Sequence, residues 1–270
     1  MPQFFRIDDP DDPRIAAYRD VRERDLVGRD RQFMAEGEVV LNVLVASARH
    51  RMASALIVDK RLERLKPLLT DLPDEIPIYG ASQAVMDRIA GFPMHRGILA
   101  IGECTDPPSA EALLEGLGPR ALVVLLVGIA NHDNMGGIFR NAAAFGADAV
   151  LLDATCCDPL YRKAIRVSVG ASLMVPFARL ATGQDPVALL DRCGFETLSL
   201  SPAGATPLAG LARAPRVAAL FGTEGPGLPA ELLTRTRTIA IPMAGGFDSL
   251  NVATTSGIVL HHLACVAQEA

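Results

Sequence analysis

Residues 121–153 read ALVVLLVGIANHDNMGGIFRNAAAFGADAVLLD. The stretch opens on a run of Val and Leu, the mark of a strand buried on both faces of a parallel sheet. A polar, glycine-containing segment follows, then a helical stretch at about residues 137–145, then a second apolar run, AVLLD. Strand, loop, helix and strand in that order make one turn of an α/β fold. Toward the C-terminus, VPFARL, FETLSLS, RVAALFG and TIAIPM read as further strands, with helical stretches at about 158–170, 185–193 and 229–234. The segment SLNVATTSGIVLHHLACVAQE reads as one long last helix, because Val252, Val259, Leu263 and Val266 recur at helical spacing.

Toward the N-terminus the chain also alternates. QFMAEG, SALIVD, IPIYG and GILAIGE read as strands, and EVVLNVLVASA, KRLERLKPLLTDL and SQAVMDRIAG as helices, the last opened by a Ser cap. This predicts a smaller α/β domain over residues 14–103. Residues 104–119 hold three prolines and read as a linker with one short helix, and residues 120–270 as the second domain. Residues 1–13 read as a flexible acidic tail, after which Asp12 and Pro13 look like a helix start.

Composition narrows the function classes. Half of the 270 residues are hydrophobic, enough to fill a core, so a disordered or fibrous chain is excluded. No apolar run reaches the roughly 18 residues of a membrane span, and the acidic, proline-broken start lacks the form of a signal peptide. A cytoplasmic protein is the default expectation. The five cysteines are odd in number and form no CxxC, which fits reduced thiols better than a disulfide framework or a zinc site. The net charge is −5, yet residues 14–66 hold 12 Lys/Arg against 8 Asp/Glu. Arginine outnumbers lysine 23 to 3; a guanidinium fork suits phosphate, although genome composition explains the bias equally well.

No GxxxxGKS/T loop, HExxH or GxSxG occurs, and the histidines form no metal-ligand spacing. Three polar clusters, however, each follow a candidate strand. They are residues 131–141 around Asn134, Gly136, Gly137 and Arg140; residues 222–227, GTEGPG; and residues 243–251 around Gly245, Gly246, Ser249 and Asn251. In open α/β sheets ligands bind outside the carboxyl ends of strands, so three such loops can build one pocket. Arg140, one turn into its helix, can point back to that end and meet a phosphate or a reacting hydroxyl. A surface ion pair is an equally good account of it. Asn134 alone reads as a turn residue, Ser249 as the N-cap of the last helix, and Glu224 as solvated.

Together the clusters resemble the three signature motifs of the SpoU–TrmH family, within the SPOUT RNA methyltransferases. N-x-G-x-x-x-R is matched by Asn134, Gly136 and Arg140. G-x-E-x-x-G is matched by Gly222, Glu224 and Gly227. I-P-M…S-L-N is matched by Ile241, Pro242, Met243, Ser249, Leu250 and Asn251. The resemblance covers about residues 120–268. FMAEGEVVLNVLVAS and HRGILAIGE add a weaker likeness to the family's substrate-binding domain.

The resemblance implies methyl transfer from S-adenosylmethionine to a ribose 2′-hydroxyl of tRNA or rRNA, with no metal. It also implies a C-terminal parallel sheet with a trefoil knot, and a homodimer with the site near its interface. Backbone groups around Leu220, Gly222, Thr223, Glu224, Gly227, Ile241, Met243 and Leu250 would hold the cofactor. Arg140 would be catalytic, with Asn134, Glu224, Ser249 and Asn251 shaping the site and positioning substrate. Backbone contact to RNA needs positive charge, expected from residues 14–66 and from Arg140, Arg162, Lys163 and Arg166. Two positions depart from the family pattern. VATTSG follows Asn251 where V-S-V-A is frequent, and Asn141 stands where Thr is common, with substrate contact its expected effect. A non-catalytic RNA-binding or ribosome-assembly protein of the same fold is the alternative, and a small-molecule enzyme with a nucleotide cofactor is a third reading.

Overall fold

A computed structural model describes residues 2–19, 27, 31–245 and 248–265. Part of the basic stretch 14–66 (residues 20–26 and 28–30) and Gly246 of the third cluster lie outside the described residues. The chain divides into two compact units, one of residues 1–106 and 160–174, the other of residues 107–159 and 175–270.

The first unit carries strands β1 (Phe4–Ile7), β2 (Gln32–Glu36), β3 (His50–Val58), β4 (Ile78–Ala81) and β5 (Ile98–Cys104). They form a mixed sheet in the order β1-β4-β3-β5-β2. Its helices are α1 (Glu38–Val45), α2 (Asp59–Thr70) and α3 (Gln83–Ala90), joined by the later α6 (Arg162–Val167) and α7 (Ala171–Met174). Residues 2–13 are not a free tail. Phe4–Ile7 pairs in parallel with Ile78–Ala81, and Ile7, Ile15 and Tyr18 are buried in the core with Met34, Leu56 and Met86. The Tyr18 hydroxyl bonds Ser54 Oγ at 2.6 Å, which ties a short 3-10 helix (Pro13–Tyr18) to the sheet. As the sequence suggests, Asp12 caps that helix, its carboxylate accepting from Arg14 N, and Ser82 caps α3.

The second unit is a parallel sheet of β6 (Ala121–Leu126), β7 (Ala149–Leu152), β8 (Phe177–Arg179), β9 (Glu196–Leu200), β10 (Thr206–Pro207), β11 (Arg216–Phe221) and β12 (Arg237–Ala240). The order is β10-β12-β9-β11-β6-β7-β8. Every residue of β6 is buried, as its unbroken apolar run requires. The helices are α4 (Ala110–Glu115), α5 (His132–Ala144), α8 (Pro186–Arg192), α9 (Ala230–Arg235) and α10 (Val252–Cys265). β11 lies between β6 and β9, with Leu126 beside Phe221. The chain therefore leaves β6 toward one edge of the sheet and returns on the other side of it. This switch places the loops after β6, β9, β11 and β12 at one end of the sheet.

Two helices differ from the sequence reading for local reasons. α5 begins at His132, five residues early, because Asn131 Oδ1 accepts from the amides of Asp133 and Asn134. The helix expected over 158–170 is split into α6 and α7, because Val169 and Gly170 both turn to positive φ (57° and 85°).

Candidate functional site

Phe221 ends β11, and the chain turns at once through GTEGPG. A Cβ on Gly222 would stand 2.3 Å from the Gly227 carbonyl carbon, so only glycine lets this loop close on itself. The Gly227 amide donates back to Thr223 O at 3.1 Å. The loop after β6 presses against it. Gly128, at φ 71°, has its Cβ direction blocked by the Thr223 methyl.

Three side chains, one from each cluster, then meet. Asn134 Nδ2 donates to Glu224 Oε1 at 2.7 Å, and Asn251 Nδ2 donates to both Glu224 Oε1 (3.0 Å) and Asn134 Oδ1 (2.9 Å). The start of α5, the GTEGPG loop and the start of α10 are thus knitted by one triangle of hydrogen bonds. Asn134 is buried, so its amide needs these partners. Asn251 also caps α10, its Oδ1 accepting from Ala253 N (2.9 Å) and Thr254 N. Ser249 is therefore not the cap that its position suggested.

A cavity of about 350 Å³ opens beside this triangle. Leu200, Phe221, Ile239, Ile241, Met243 and Val252 give it apolar walls. The GTEGPG loop, Ser249, Asn251 and Thr255 bring polar groups and loop backbone to its rim, and Ser201, Pro202 and Leu250 add to the lining. The Thr223 hydroxyl is shielded from solvent and has no protein partner among the described residues. Apolar walls with a few convergent polar groups suit a flat, partly polar small molecule.

Most of the expected cofactor residues line this cavity: Gly222, Thr223, Glu224, Gly227, Ile241, Met243 and Leu250. Leu220 does not. Strand alternation turns its side chain into the core with Val123, Leu125 and Ala218. Arg140 is exposed on α5 and is not part of the cavity wall. It makes no ion pair or hydrogen bond among the described residues. A surface ion pair therefore does not account for it.

Asn141, expected to face substrate, turns instead to α10. Its Nδ2 donates to Ala253 O (2.7 Å) and Ser256 Oγ (2.9 Å). Gly137 and Gly257 let the two helices approach, the Cβ direction of Gly137 pointing at the Ala253 methyl. Both departures from the family pattern, Asn141 and VATTSG, thus belong to one contact. Sequence reasoning also missed Leu200, Pro202 and Ile239 as cavity residues, because none of the three is itself a motif residue. Among the described residues no cluster of His, Cys, Asp or Glu could hold a metal, and no helix is long and apolar enough to cross a membrane.

The same segments carry the likeness to known proteins. Residues 121–261 match the SpoU rRNA Methylase family. An uncharacterised tRNA/rRNA methyltransferase of Mycobacterium bovis is 39% identical over 94% of this chain and 89% of its own. A 23S rRNA (guanosine-2′-O-)-methyltransferase of Photobacterium profundum is 30% identical over 76% of this chain and 85% of its own. Among solved structures, an AdoMet-bound rRNA methyltransferase from Sinorhizobium meliloti superposes with a TM-score of 0.80 at 24% identity, covering 97% of each chain. AviRb from Streptomyces viridochromogenes, also with AdoMet, gives 0.78 at 20% identity, covering 94% and 97%. At those identities the structures speak for the fold, whereas the motif-bearing half and the near full-length relative fix the lineage: this chain belongs to the SpoU rRNA methylase family.

Proposed function

We propose that the chain transfers a methyl group from S-adenosylmethionine to a ribose 2′-hydroxyl of tRNA or rRNA. The observation that carries this reading is the triangle of Asn134, Glu224 and Asn251 closing over a cavity of cofactor size. Bound there, S-adenosylmethionine supplies an electrophilic methyl group. The residues present fit it. Phe221, Ile239, Ile241 and Met243 offer apolar contact to an adenine ring, and the unpartnered Thr223 hydroxyl and the loop backbone offer polar contact.

A ribose hydroxyl is a weak nucleophile, so the protein must align it and relieve its proton as the bond forms. A guanidinium is no base at neutral pH. In this scheme the 2′-proton passes to a neighbouring RNA phosphate oxygen that the Arg140 guanidinium holds, and Arg140 stabilises the charge that develops on the 2′-oxygen as the methyl–sulfur bond breaks. Its exposure and the absence of an ionic partner among the described residues support that role. Glu224 Oε1 is occupied by Asn134 and Asn251, so Glu224 and the two asparagines hold the loops in register, and Ser249 lies at the rim where substrate would arrive.

The same reading includes the trefoil knot of the C-terminal segment, a cytoplasmic location and a homodimer. For the dimer, Thr254, Ile258, His261 and Cys265 form an exposed stripe along α10 at helical spacing. Calorimetry tests the cofactor first. S-adenosylmethionine should bind with one site per chain while NAD and ATP do not. Binding of NAD or ATP in its place would overturn the methyltransferase reading in favour of a nucleotide-cofactor enzyme.

A further inference from the structure

The second charged feature of the molecule lies wholly in the first unit. Glu36 ends β2 and is buried, and three guanidiniums converge on it: Arg162 Nε at 3.0 Å, Arg166 at 3.8 Å and Arg96 at 3.9 Å. Two residues on, Glu38 takes Arg64 in a short ion pair and Arg61 at 3.9 Å. Five arginines thus surround two carboxylates, a local excess of three positive charges in a chain whose net charge is −5.

Internal pairing does not use up this charge. Only Arg162 makes a hydrogen bond to Glu36. Arg96 and Arg166 stand beyond hydrogen-bond reach of it and make no other bond among the described residues. A guanidinium has five N–H donors in a planar fork. Those of Arg96 and Arg166 are held in place by charge but meet no acceptor among the described residues. Both side chains are about half exposed, as is Arg64. Gly37, at φ 91°, lets the Arg96 stem cross close to the backbone; a Cβ there would lie 3.1 Å from Arg96 Cδ. Beside the cluster the Phe92 ring is 46% exposed, with the Arg162 guanidinium 5.6 Å from its centroid.

We propose that this arginine cluster, anchored on Glu36 and Glu38 and flanked by Phe92, is a platform for the RNA backbone, with Phe92 stacking on an unpaired base. The inference rests on the proposed RNA substrate and names the surface that meets it. Fixed forks with free donors match phosphate oxygens in a way that mobile surface lysines do not. An exposed ring beside guanidiniums is the arrangement on which unstacked RNA bases rest. The carboxylates set the spacing of the guanidiniums, which mutual repulsion would otherwise splay.

Phosphate contacts carry no sequence information, so the probe need not be the true substrate. The test uses a fluorescently labelled, unmodified tRNA transcript titrated by anisotropy at several salt concentrations. The full-length wild type is compared with Arg96→Gln/Arg166→Gln, Arg64→Gln and Phe92→Ala. Each neutralised phosphate contact contributes roughly 0.7–0.9 to the slope of log K against log salt. The double variant should lower that slope by about 1.5 and weaken binding at least about tenfold near physiological salt. Arg64→Gln should lower it by about half as much, which serves if the double variant does not fold. Phe92→Ala should weaken binding about fivefold with the slope unchanged. S-adenosylmethionine affinity and the melting temperature should not move in any of them.

A wild type that binds the RNA while all three variants bind with the same affinity and slope overturns the platform and leaves the methyltransferase reading standing. A wild type that does not bind the RNA also overturns the platform. Arginine-dependent RNA binding by a wild type that transfers methyl to neither tRNA nor rRNA upholds the platform and rejects the activity.

Discussion

At the Asn134 triangle of the second unit polar side chains bond one another, whereas around Glu36 in the first unit two guanidiniums stop short of bonding. Asn134, Glu224 and Asn251 close a triangle with bonds of 2.7–3.0 Å, and the cavity beside it is mostly apolar wall and loop backbone. Around Glu36, two of three guanidiniums stop at 3.8–3.9 Å with their donors unspent. The contrast matches two kinds of ligand. A small molecule is recognised by a fixed, glycine-shaped cavity with apolar walls and few open polar groups, the Thr223 hydroxyl among them. A polyanion is met by groups that the protein holds in place but leaves unsatisfied. Arg140 stands between the two designs. It sits on the same helix as Asn134, yet it is as open as the arginines of the first unit.

The largest expected effect breaks the comparison at that residue. Arg140→Ala should lower the rate of methyl transfer by about a thousandfold, in the range of a lost general acid–base or charge-stabilising group. Calorimetry should find S-adenosylmethionine affinity unchanged. Equal loss of both would make Arg140 part of the cavity after all.

Gly222→Ala should come next, because its Cβ would overlap the Gly227 carbonyl carbon. Thermal melting should show a loss of about 3 kcal/mol, with cofactor binding abolished while binding of the tRNA transcript persists. Loss of both would mean that the two regions are not independent.

The first unit has its own pH signature. Burial, with Arg49 nearby, pushes the His50 imidazole down to about 4, against the edge of the Phe33 ring. His50 is therefore neutral in the folded chain at a pH where the unfolded chain takes up a proton. Its contribution is complete above about 6.5 and is lost as pH falls toward 4, by about 2 kcal/mol. Urea midpoints between pH 7 and 4 should fall more steeply for the wild type than for His50→Gln. Parallel slopes would remove His50 as the cause.

Smallest is Asn141→Ala, which deletes two hydrogen bonds between α5 and α10. It should cost about 1–2 kcal/mol in thermal unfolding and leave RNA affinity unchanged. A selective loss of RNA affinity would restore the substrate contact that the sequence suggested.

The same two regions differ in how far a sequence reader can see them. The cavity comes from short segments, each following an apolar strand, so the residues that matter sit beside their own signal. Glycine spacing marked the loop at 222–227, and the carboxyl-end rule for α/β sheets brought it together with Asn134 and Asn251. What escaped were groups without a local signature. The cap formed by Asn131 has no apolar periodicity beside it, so the pattern places the start of α5 five residues late. The Val169–Gly170 break was invisible because a β-branched residue gives no hint of positive φ. In the N-terminal stretch, Asp and Pro masked the pairing of Phe4–Ile7, which depends on a partner strand more than seventy residues away. The Glu36 cluster is the extreme case. Its members come from residues 36–38, 61–64, 96 and 162–166, and only the fold brings them together.

Methyl transfer itself is followed with labelled S-adenosylmethionine and unmodified tRNA and rRNA transcripts, with alkaline hydrolysis of the product. The account predicts label in one class of RNA, at a single linkage that resists alkali because its 2′-oxygen is methylated, and none with Arg140→Ala. Label that appears at an alkali-labile linkage, on a base, or equally with Arg140→Ala would contradict it.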